Sequence, residues 1–330
     1  MKVLLLGATG LLGHNVLKHL VDEGHPVVAL VRRADGIRLD GGGWQTVVGS
    51  PTDYDALRRA AEGCDAVVNC AGATDMSLPS REAFMPMNRD LCAMVVRLME
   101  ETGVKTFVHT STVNTIGYGT AGHPADEGAP MQPPFEGSYY GDSKREGERI
   151  VLEAARRHPD WHVVVVNPGY MLGAWDVKPS SGRMLLAGYR RRLMAAPPGG
   201  KAFVAVQDVA QAVVNALTRG ENGSRYIAVN SRACMSVKEL YDLQARTMGY
   251  RQRVVVLPKW VLSVAGCVGD GLRLLGVRTD LSTLNVRQLA EREYYDNRRA
   301  VAELGLTETP IEQAIAEFHQ WRNKQKTKIS

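Results

Sequence analysis

Three glycines at intervals of three residues stand near the start of the chain and constrain the fold more than any other feature. Gly7, Gly10 and Gly13 follow a short apolar run, residues 2–6, and open a stretch with helical spacing, residues 11–23. A glycine turn between a buried strand and a helix is typical of the first unit of an open parallel sheet, because the chain must turn sharply and pack closely there. The sequence therefore predicts an α/β protein that begins with a βαβ unit.

Strand-like and helical stretches go on alternating through the first half of the chain. The further strand-like runs are residues 26–31, 46–48, 66–69, 106–110 and 162–166, and the helical ones are residues 54–61, 81–101 and 139–157. This alternation indicates parallel βαβ units, and buried parallel strands read as continuous apolar runs, as these do. We expect a doubly wound parallel sheet, which is a Rossmann fold.

The alternation loosens after Asn167-Pro168, and the rest of the chain predicts a smaller C-terminal α/β lobe over the carboxyl edge of the sheet. Helices are predicted at residues 183–194, 208–218 and 237–248, and strands at residues 203–206, 226–229 and 253–256. The expected domains are residues 1–168 and 169–330, with some later strands returning to the sheet. A Gly- and Pro-rich loop, residues 119–137, is a candidate lid or pocket wall.

Composition and charge argue against several classes of protein. The 330 residues are 45% hydrophobic and 23% charged, with a net charge of +5, which is ordinary for a globular chain. No basic stripe with interleaved aromatic residues points to nucleic acid. The five cysteines lack the spacing of metal ligands, so we expect no metal site and reduced thiols in a cytoplasmic protein.

One late segment raises the question of membrane contact. Residues 260–275 form the longest apolar stretch near the C-terminus, but Asp270 and Arg273 interrupt it. The stretch is also shorter than the roughly 20 apolar residues that a membrane span needs. It predicts an amphipathic core helix, with contact to a membrane interface as the alternative. The first residues do not form a signal peptide, because only four apolar residues separate Lys2 from Gly7.

The glycine turn also predicts a ligand. The N-terminus of a helix offers unpaired N–H groups and a partial positive charge to phosphates, and glycine lets the backbone approach a pyrophosphate. We therefore expect a dinucleotide there, with an unliganded tight turn as the alternative. The second strand ends in Arg32-Arg33 rather than in the acidic residue that would bind the ribose hydroxyls of NAD. A guanidinium suits a 2′-phosphate, so NADP(H) is favoured over NAD(H), unless both arginines are ordinary surface residues.

A tyrosine and a lysine four residues apart lie in the predicted helix 139–157. Tyr140 and Lys144 share one helix face, so the phenol and the ammonium group can reach the same site. A lysine cation lowers the pKa of a nearby phenol from about 10, and Tyr140 could then exchange a proton with a carbonyl or alcohol oxygen. The strand 106–110 ends in Ser111-Thr112, where a hydroxyl could hold that oxygen.

With these residues in place, the chain resembles the extended short-chain dehydrogenases/reductases, the NAD-dependent epimerase/dehydratase family. The motifs that carry the resemblance are Gly7-Ala8-Thr9-Gly10-Leu11-Leu12-Gly13, Asn69-Cys70-Ala71-Gly72, Asn88, residues 107–112, Tyr140 with Lys144, Asn167-Pro168-Gly169, residues 206–210 and residues 295–305. Within the family the chain most resembles the branch of dihydroflavonol reductases and 3β-hydroxysteroid dehydrogenases and the related hopanoid-associated epimerase-like proteins, and residues 176–183 support the last of these similarities. Two positions depart from the family: Ser50 replaces an aspartate that contacts adenine, and Lys201 replaces the arginine of sugar-nucleotide epimerases.

The resemblance assigns roles to single residues. It implies Thr112, Tyr140 and Lys144 as catalytic residues, with Asn88 either ordering a water relay behind Lys144 or capping and packing its helix. The expected cofactor contacts are Gly7, Thr9, Gly10, Leu11, Leu12, Gly13, Arg32, Arg33, Ser50, Pro51, Cys70, Ala71, Gly72, Tyr140, Lys144, Asn167, Pro168 and Gly169. The resemblance also implies a homodimer through a four-helix interface built from the Asn88 and Tyr140 helices.

The sequence thus predicts an NADP(H)-dependent oxidoreductase that interconverts a carbonyl and an alcohol, with Tyr140 as acid or base. The apolar side chains that could form walls of its substrate pocket are Met171, Leu172, Trp175, Met184 and Leu185. They favour a small apolar or cyclic substrate, unless they are ordinary core. The alternatives are a sugar-nucleotide epimerase or dehydratase that retains NAD, and a non-catalytic protein that senses dinucleotides. His109 is interpreted as a packed strand residue.

Overall fold

The structure, a computed structural model, describes residues 1–37 and 39–327. The strands are β1 (Val3–Leu6), β2 (Val27–Val31), β3 (Trp44–Val48), β4 (Ala66–Asn69), β5 (Thr106–Thr110), β6 (His162–Pro168), β7 (Tyr170–Leu172), β8 (Leu193–Ala196), β9 (Gly200–Ala205), β10 (Ser224–Ala228), β11 (Cys234–Ser236) and β12 (Arg253–Val256). The helices are α1 (Leu11–Asp22), α2 (Tyr54–Ala60), α3 (Leu91–Thr102), α4 (Tyr139–Arg157), α5 (Gly182–Gly188), α6 (Val206–Asn215), α7 (Val237–Thr247), α8 (Lys259–Leu274), α9 (Thr283–Gln288), α10 (Arg298–Leu304) and α11 (Ile311–Thr327).

Seven strands pair in parallel in the order β10-β6-β5-β4-β1-β2-β3. Helices α1 and α6 pack on one face of this sheet, and α2, α3 and α4 pack on the other. Because both faces are covered, the central strands are mostly apolar, and every residue of β1 is fully buried. The strand order reverses between β1 and β4, and such a reversal opens a ligand crevice at the carboxyl ends of the strands. The prediction of a doubly wound Rossmann fold is confirmed.

The second half of the chain adds smaller sheets and a second core. A three-stranded sheet has the order β11-β9-β7, and β12 pairs with β8. Leu172, Phe203, Leu240 and Phe318 belong to the core of this part. One later strand, β10, pairs with β6 in the main sheet. The division of the chain at residue 168 stays a prediction.

Two predicted helices differ from the structure. The helix expected at residues 183–194 ends at Gly188, because Gly188 lies against the ring of Tyr241 and the residues from Leu193 onward pair with β12. A Cβ on Gly188 would lie 2.5 Å from that ring. The helix expected at residues 81–101 begins with a π-helical turn, Pro86–Asp90, before α3.

The segment 260–275 is a helix as predicted, but the expectation that it belongs to the core was wrong. Helix α8 buries only Leu262, Gly266 and Gly269. The glycines face α9 and the turn before it: a Cβ on Gly266 would lie 2.8 Å from Val286, and one on Gly269 would lie 2.2 Å from the Leu281 carbonyl oxygen. Apart from Leu262, the large apolar side chains of α8 therefore lie mostly on its outward side, where Trp260, Val264, Val268, Leu272 and Leu274 are exposed. None of the helices formed by the described residues combines the length and apolarity that a bilayer crossing requires.

Candidate active site

The glycine turn connects β1 to α1 at the carboxyl edge of the sheet. Gly7 has a φ of 85°, a left-handed conformation that side chains disfavour. A Cβ on Gly7 would lie 2.6 Å from the Ala71 nitrogen, and one on Gly13 would lie 2.1 Å from the Gly7 carbonyl oxygen. Gly10 caps α1 without a side-chain hydrogen bond, so the N–H groups of Leu11 and Leu12 face outward at the helix start. This cradle of bare backbone fits the pyrophosphate of a dinucleotide.

The two arginines after β2 differ in their surroundings. Both are exposed, but the guanidinium of Arg33 lies 2.7 Å from the carboxylate of Asp35. Arg32 forms no ion pair with any residue that the structure describes. The turn that follows lies directly beside the glycine turn, since a Cβ on Gly36 would lie 2.7 Å from the Thr9 methyl group. Arg32 is therefore a cation near the phosphate cradle that no other described residue engages in an ion pair.

The predicted adenine contacts follow β3. The Ser50 hydroxyl is 2.8 Å from the Thr52 hydroxyl and accepts a hydrogen bond from the Thr52 nitrogen. Ser50 and Pro51 are half-buried. The Ser50 hydroxyl is thus already used by its own turn, and its contact with adenine stays a prediction.

The segment after β4 forms the floor of the crevice. The Asn69 side chain accepts a hydrogen bond from the Ala71 nitrogen at 3.0 Å, which fixes the turn before Gly72. Burial raises the pKa of the Cys70 thiol to about 12, so this thiol is not reactive. His109 is buried beside Asn69, and burial holds its pKa well below the usual range. The described residues contain no group of side chains that could hold a metal ion.

Thr112, Tyr140 and Lys144 meet at the carboxyl end of β5. Thr112 follows β5 and lies close enough to Tyr140 to influence the pKa of its phenol. Lys144, one helical turn further along α4, is almost fully buried, and its ammonium group donates a 2.7 Å hydrogen bond to the Thr110 carbonyl oxygen. Helix α4 is placed by Ser138, whose hydroxyl accepts from the Gly141 nitrogen at its first turn. The structure therefore brings the three predicted catalytic residues together.

Burial shifts both titratable groups of this trio toward their neutral forms. It raises the pKa of Tyr140 above its ordinary value of about 10, and the nearby Thr112 hydroxyl partly opposes that shift. It lowers the pKa of Lys144, while Cys92 and the Glu148 carboxylate raise it. At neutral pH the Tyr140 phenol consequently holds its proton, as an acid catalyst must.

Asn88 connects the loop after β4 to the catalytic helix. Its side-chain oxygen accepts from the Ala73 nitrogen at 2.8 Å, and its nitrogen donates to the Ala73 oxygen at 3.0 Å. The same nitrogen donates to the Ser143 hydroxyl at 2.9 Å, and Ser143 donates to the Tyr140 carbonyl oxygen. These contacts hold α4 at the site, and the water relay stays a prediction.

Strand β6 ends with Asn167 and Pro168, and Gly169 follows it. The Asn167 side chain donates to the Thr112 carbonyl oxygen at 3.1 Å and to the Glu148 carboxylate at 2.8 Å. Glu148, which was not among the predicted site residues, is buried and also forms an ion pair with Arg225 at 3.1 Å. The only sequence signal for Glu148 is its position one turn after Lys144 on the same face of α4.

Two buried polar atoms near the carboxyl edge have no hydrogen-bond partner among the described residues. They are the Ser111 hydroxyl and the Asn167 side-chain oxygen. Buried polar groups without partners are rare in folded proteins, and they commonly mark a place where a ligand or water binds. Together with the glycine cradle, they fit a dinucleotide that extends from α1 to β6.

A small cavity adjoins Tyr140 on the side away from the sheet. Its lining comprises Met76, Phe84, Tyr139, Tyr140, Arg273, Ser282, Leu284 and Asn285. Most of this lining was not predicted from the sequence, because α8 and α9 reach the site only through tertiary packing. Of the predicted pocket walls, Leu172 and Leu185 lie in the core instead, and Trp175 stacks on His14 at 4.1 Å.

A dinucleotide cradle and a Thr-Tyr-Lys trio at one edge of a Rossmann sheet define an NAD(P)-dependent oxidoreductase of the extended short-chain type. Residues 3–230 match the sequence profile of the NAD dependent epimerase/dehydratase family, and the chain belongs to that family. The enzyme therefore uses a nicotinamide dinucleotide, which confirms the coarser part of the cofactor prediction. The homodimer through α3 and α4 stays a prediction.

Named relatives span nearly the whole chain. A Synechocystis protein that carries the name putative dihydroflavonol 4-reductase is 31% identical over 326 residues, which cover 96% of this chain and 92% of that one. Sterol demethylase protein B of Methylococcus capsulatus is 30% identical over 327 residues, covering 97% and 98%. The UDP-glucose 4-epimerase of Thermus thermophilus, solved in complex with NAD, shares the fold with a TM-score of 0.76 at 20% identity, covering 97% and 98%.

Proposed function

We propose that the protein is an NADP(H)-dependent reductase or dehydrogenase that interconverts a carbonyl and an alcohol on a small apolar or cyclic substrate. The observation that carries this proposal is the placement of the Thr112 hydroxyl beside the Tyr140 phenol, with the buried Lys144 one helical turn further along α4. A carbonyl oxygen placed against both hydroxyls would be held by Thr112 and would receive the proton of Tyr140. When bound, the nicotinamide ring supplies or accepts the hydride.

The surroundings of Lys144 support its role as a holding group. One N–H of its ammonium group donates to Thr110, which leaves the others for the hydroxyls of the nicotinamide ribose. Its positive charge near the phenol also stabilises the phenolate that forms when Tyr140 gives up its proton. Gly7, Gly10 and Gly13 would hold the pyrophosphate.

Lys201 argues for this proposal over sugar-nucleotide chemistry. A diphosphate substrate calls for unpaired cations, but the ammonium group of Lys201 forms a buried ion pair with Glu293. It also donates to the Gln288 carbonyl oxygen at 3.2 Å and lies 5.1 Å from the centre of the Phe135 ring. The charge of Lys201 is thus already neutralised by Glu293 and is not available to a diphosphate. The names of the two relatives, a dihydroflavonol reductase and a sterol demethylase protein, support a substrate with fused or linked rings.

A substrate panel tests the reaction class. We expect the purified enzyme to oxidise NADPH stoichiometrically when it is given cyclic ketones, and to form the matching alcohols, measured as loss of NADPH absorbance and by product chromatography. UDP-glucose serves as the comparison substrate and should give no turnover. Epimerisation of the UDP-sugar without net NADPH use, by protein that retains NAD(H) through purification, would refute the proposal and support the epimerase alternative.

Arg32→Ala tests the cofactor preference. Because Arg32 is a cation near the cradle that no other described residue engages in an ion pair, its loss should weaken NADPH binding about tenfold and leave NADH binding nearly unchanged. Arg33→Ala is the matched control, and its effect should be smaller because Asp35 already engages Arg33. Both affinities can be measured by fluorescence titration. An equal loss for NADPH and NADH, or a larger effect of Arg33→Ala, would show that the 2′-phosphate is not read by Arg32.

A further inference from the structure

The outward side of α8 exposes a continuous apolar stripe. Trp260, Val264, Val268 and Leu272 recur at intervals of four residues and are 68%, 56%, 56% and 36% exposed. The stripe is extended by Leu274 at the end of α8 and by Leu275 and Val277 after it, all of which are exposed. Most of the large apolar side chains that the described residues expose lie between Trp260 and Leu281. Clustered exposure of this kind marks a surface that contacts something other than water.

The opposite side of α8 explains why the stripe faces outward. Gly266 and Gly269 pack so closely on Val286 and Leu281 that no larger residue would fit. The helix packs on the protein through these glycines and Leu262, while most of its bulky residues are held away from the core. The exposed stripe is therefore part of the folded state, and burying it in the protein's own core would require breaking the contact between α8 and α9.

Exposed basic side chains are concentrated on the segments that lead into α8. Lys259 begins α8, Arg251 and Arg253 lie at the start of β12, and the Arg253 nitrogen donates to the Arg192 carbonyl oxygen, which places the exposed residues Arg190, Arg191 and Arg192 beside that end of β12. No carboxylate of the described residues forms an ion pair with any of these six side chains. The nearby acids are engaged elsewhere, Asp270 by Thr283 and Asp280 by Arg183.

We propose that this surface, the α8 face, docks on an anionic lipid bilayer, with the stripe among the headgroups and the basic residues against the phosphates. An apolar helix face with an aromatic residue and flanking cations is the pattern of helices that lie in a membrane interface. The charge pattern favours a bilayer over a second copy of the chain, because anionic headgroups supply the negative charge that these six cations lack, whereas the same face of a second copy carries cations of its own. Asp270 and Arg273 in the same helix are compatible with lying on the bilayer but not with crossing it.

The inner side of the same segment reaches the active site. Arg273 and Asn285 both donate to the Met76 carbonyl oxygen, at 2.7 Å and 3.1 Å, and with Ser282 and Leu284 they line the cavity beside Tyr140. Docking through the α8 face would therefore hold this cavity close to the bilayer surface. The step from docking to delivery of an apolar substrate out of the bilayer rests on the proposed function, whereas docking itself does not.

Vesicle flotation with the full-length chain tests the docking. We expect the protein to float with vesicles of phosphatidylcholine containing phosphatidylglycerol, to bind vesicles of phosphatidylcholine alone more weakly, and to lose binding as salt is raised. The double variant Trp260→Glu with Leu275→Glu should lower the bound fraction about tenfold or more, because two charges would enter the apolar boundary. The matched control is Val301→Glu, which alters an exposed apolar side chain on α10 and should bind like the wild type. Thermal melting and NADPH binding show that each variant is folded.

Three results would overturn the docking proposal. One is the absence of flotation with either vesicle, and another is unchanged binding by the double variant. The third is a wild-type dimer, seen by light scattering, that the double variant dissociates while neither protein binds vesicles, since the face would then join two copies. Because flotation needs no substrate, a failed substrate panel leaves docking intact, and failed flotation leaves the redox proposal intact.

Discussion

Tyr140→Phe is expected to lower kcat for carbonyl reduction about 10²–10⁴-fold, the usual contribution of a positioned acid or base. Phenylalanine retains the ring, which meets Phe84 edge-on at 6.3 Å, and removes only the hydroxyl that lies near Thr112. NADPH affinity should therefore change by no more than about twofold, since a loss confined to the transition state appears in kcat rather than in ground-state binding. Steady-state kinetics on the best substrate of the wild type and fluorescence titration with NADPH measure the two effects separately.

A matched substitution separates chemistry from general damage. Tyr54 also carries a hydrogen-bonded hydroxyl, 2.7 Å from the Glu101 carboxylate, but it lies on α2 at the surface. Tyr54→Phe should keep full turnover. If Tyr140→Phe also keeps full turnover, the acid is another group and the proposed assignment is wrong. A large loss of NADPH binding in Tyr140→Phe would instead mean that the hydroxyl acts mainly on the cofactor.

The first half of the fold could be predicted because its signals are local. The residues before Gly7 form a continuous apolar run, and residues 11–23 have helical spacing. Each later βα unit repeats this contrast between an apolar run and helical spacing within a few residues. Tyr140 and Lys144 could likewise be paired from sequence, since helical geometry alone places them on one face. Predicting that Thr112 lies near this pair needed a further argument, which is that parallel strands end at the same edge of the sheet.

The remaining features depend on contacts between distant segments. Residues 183–194 have helical spacing throughout, yet Gly188 fits against Tyr241 and Leu193 pairs with Arg253, a residue far along the chain. In residues 260–275 both the bulky side and the glycine side of the helix are apolar, so periodicity cannot tell which side packs. Which side packs is decided by the segment that contacts Gly266 and Gly269, and that segment is α9 with the turn before it. The cavity lining from Arg273 to Asn285 was missed for the same reason.

Gly13→Ala is expected to abolish measurable NADPH binding and to lower the free energy of unfolding by about 1–3 kcal/mol or more. Its Cβ would stand 2.1 Å from the Gly7 carbonyl oxygen, so α1 and the turn must separate, and the N–H groups that face the phosphates move with them. Thermal melting followed by circular dichroism and fluorescence titration with NADPH measure both effects on one preparation.

Substitutions of two other glycines separate the effect on folding from the effect on NADPH binding. A Cβ on Gly10 would lie 3.4 Å from the Gly7 oxygen, an ordinary contact, so Gly10→Ala should fold normally and still weaken NADPH binding if the backbone there approaches the pyrophosphate. Gly271 has nothing within 4 Å of its added Cβ and lies inside α8, so Gly271→Ala should bind NADPH normally and gain about 0.5–1 kcal/mol from helix propensity. Normal NADPH binding by both Gly13→Ala and Gly10→Ala would mean that the phosphates lie away from this turn. Weak binding by Gly10→Ala in a fully stable protein would place them against it, because no steric strain in the protein would then account for the loss.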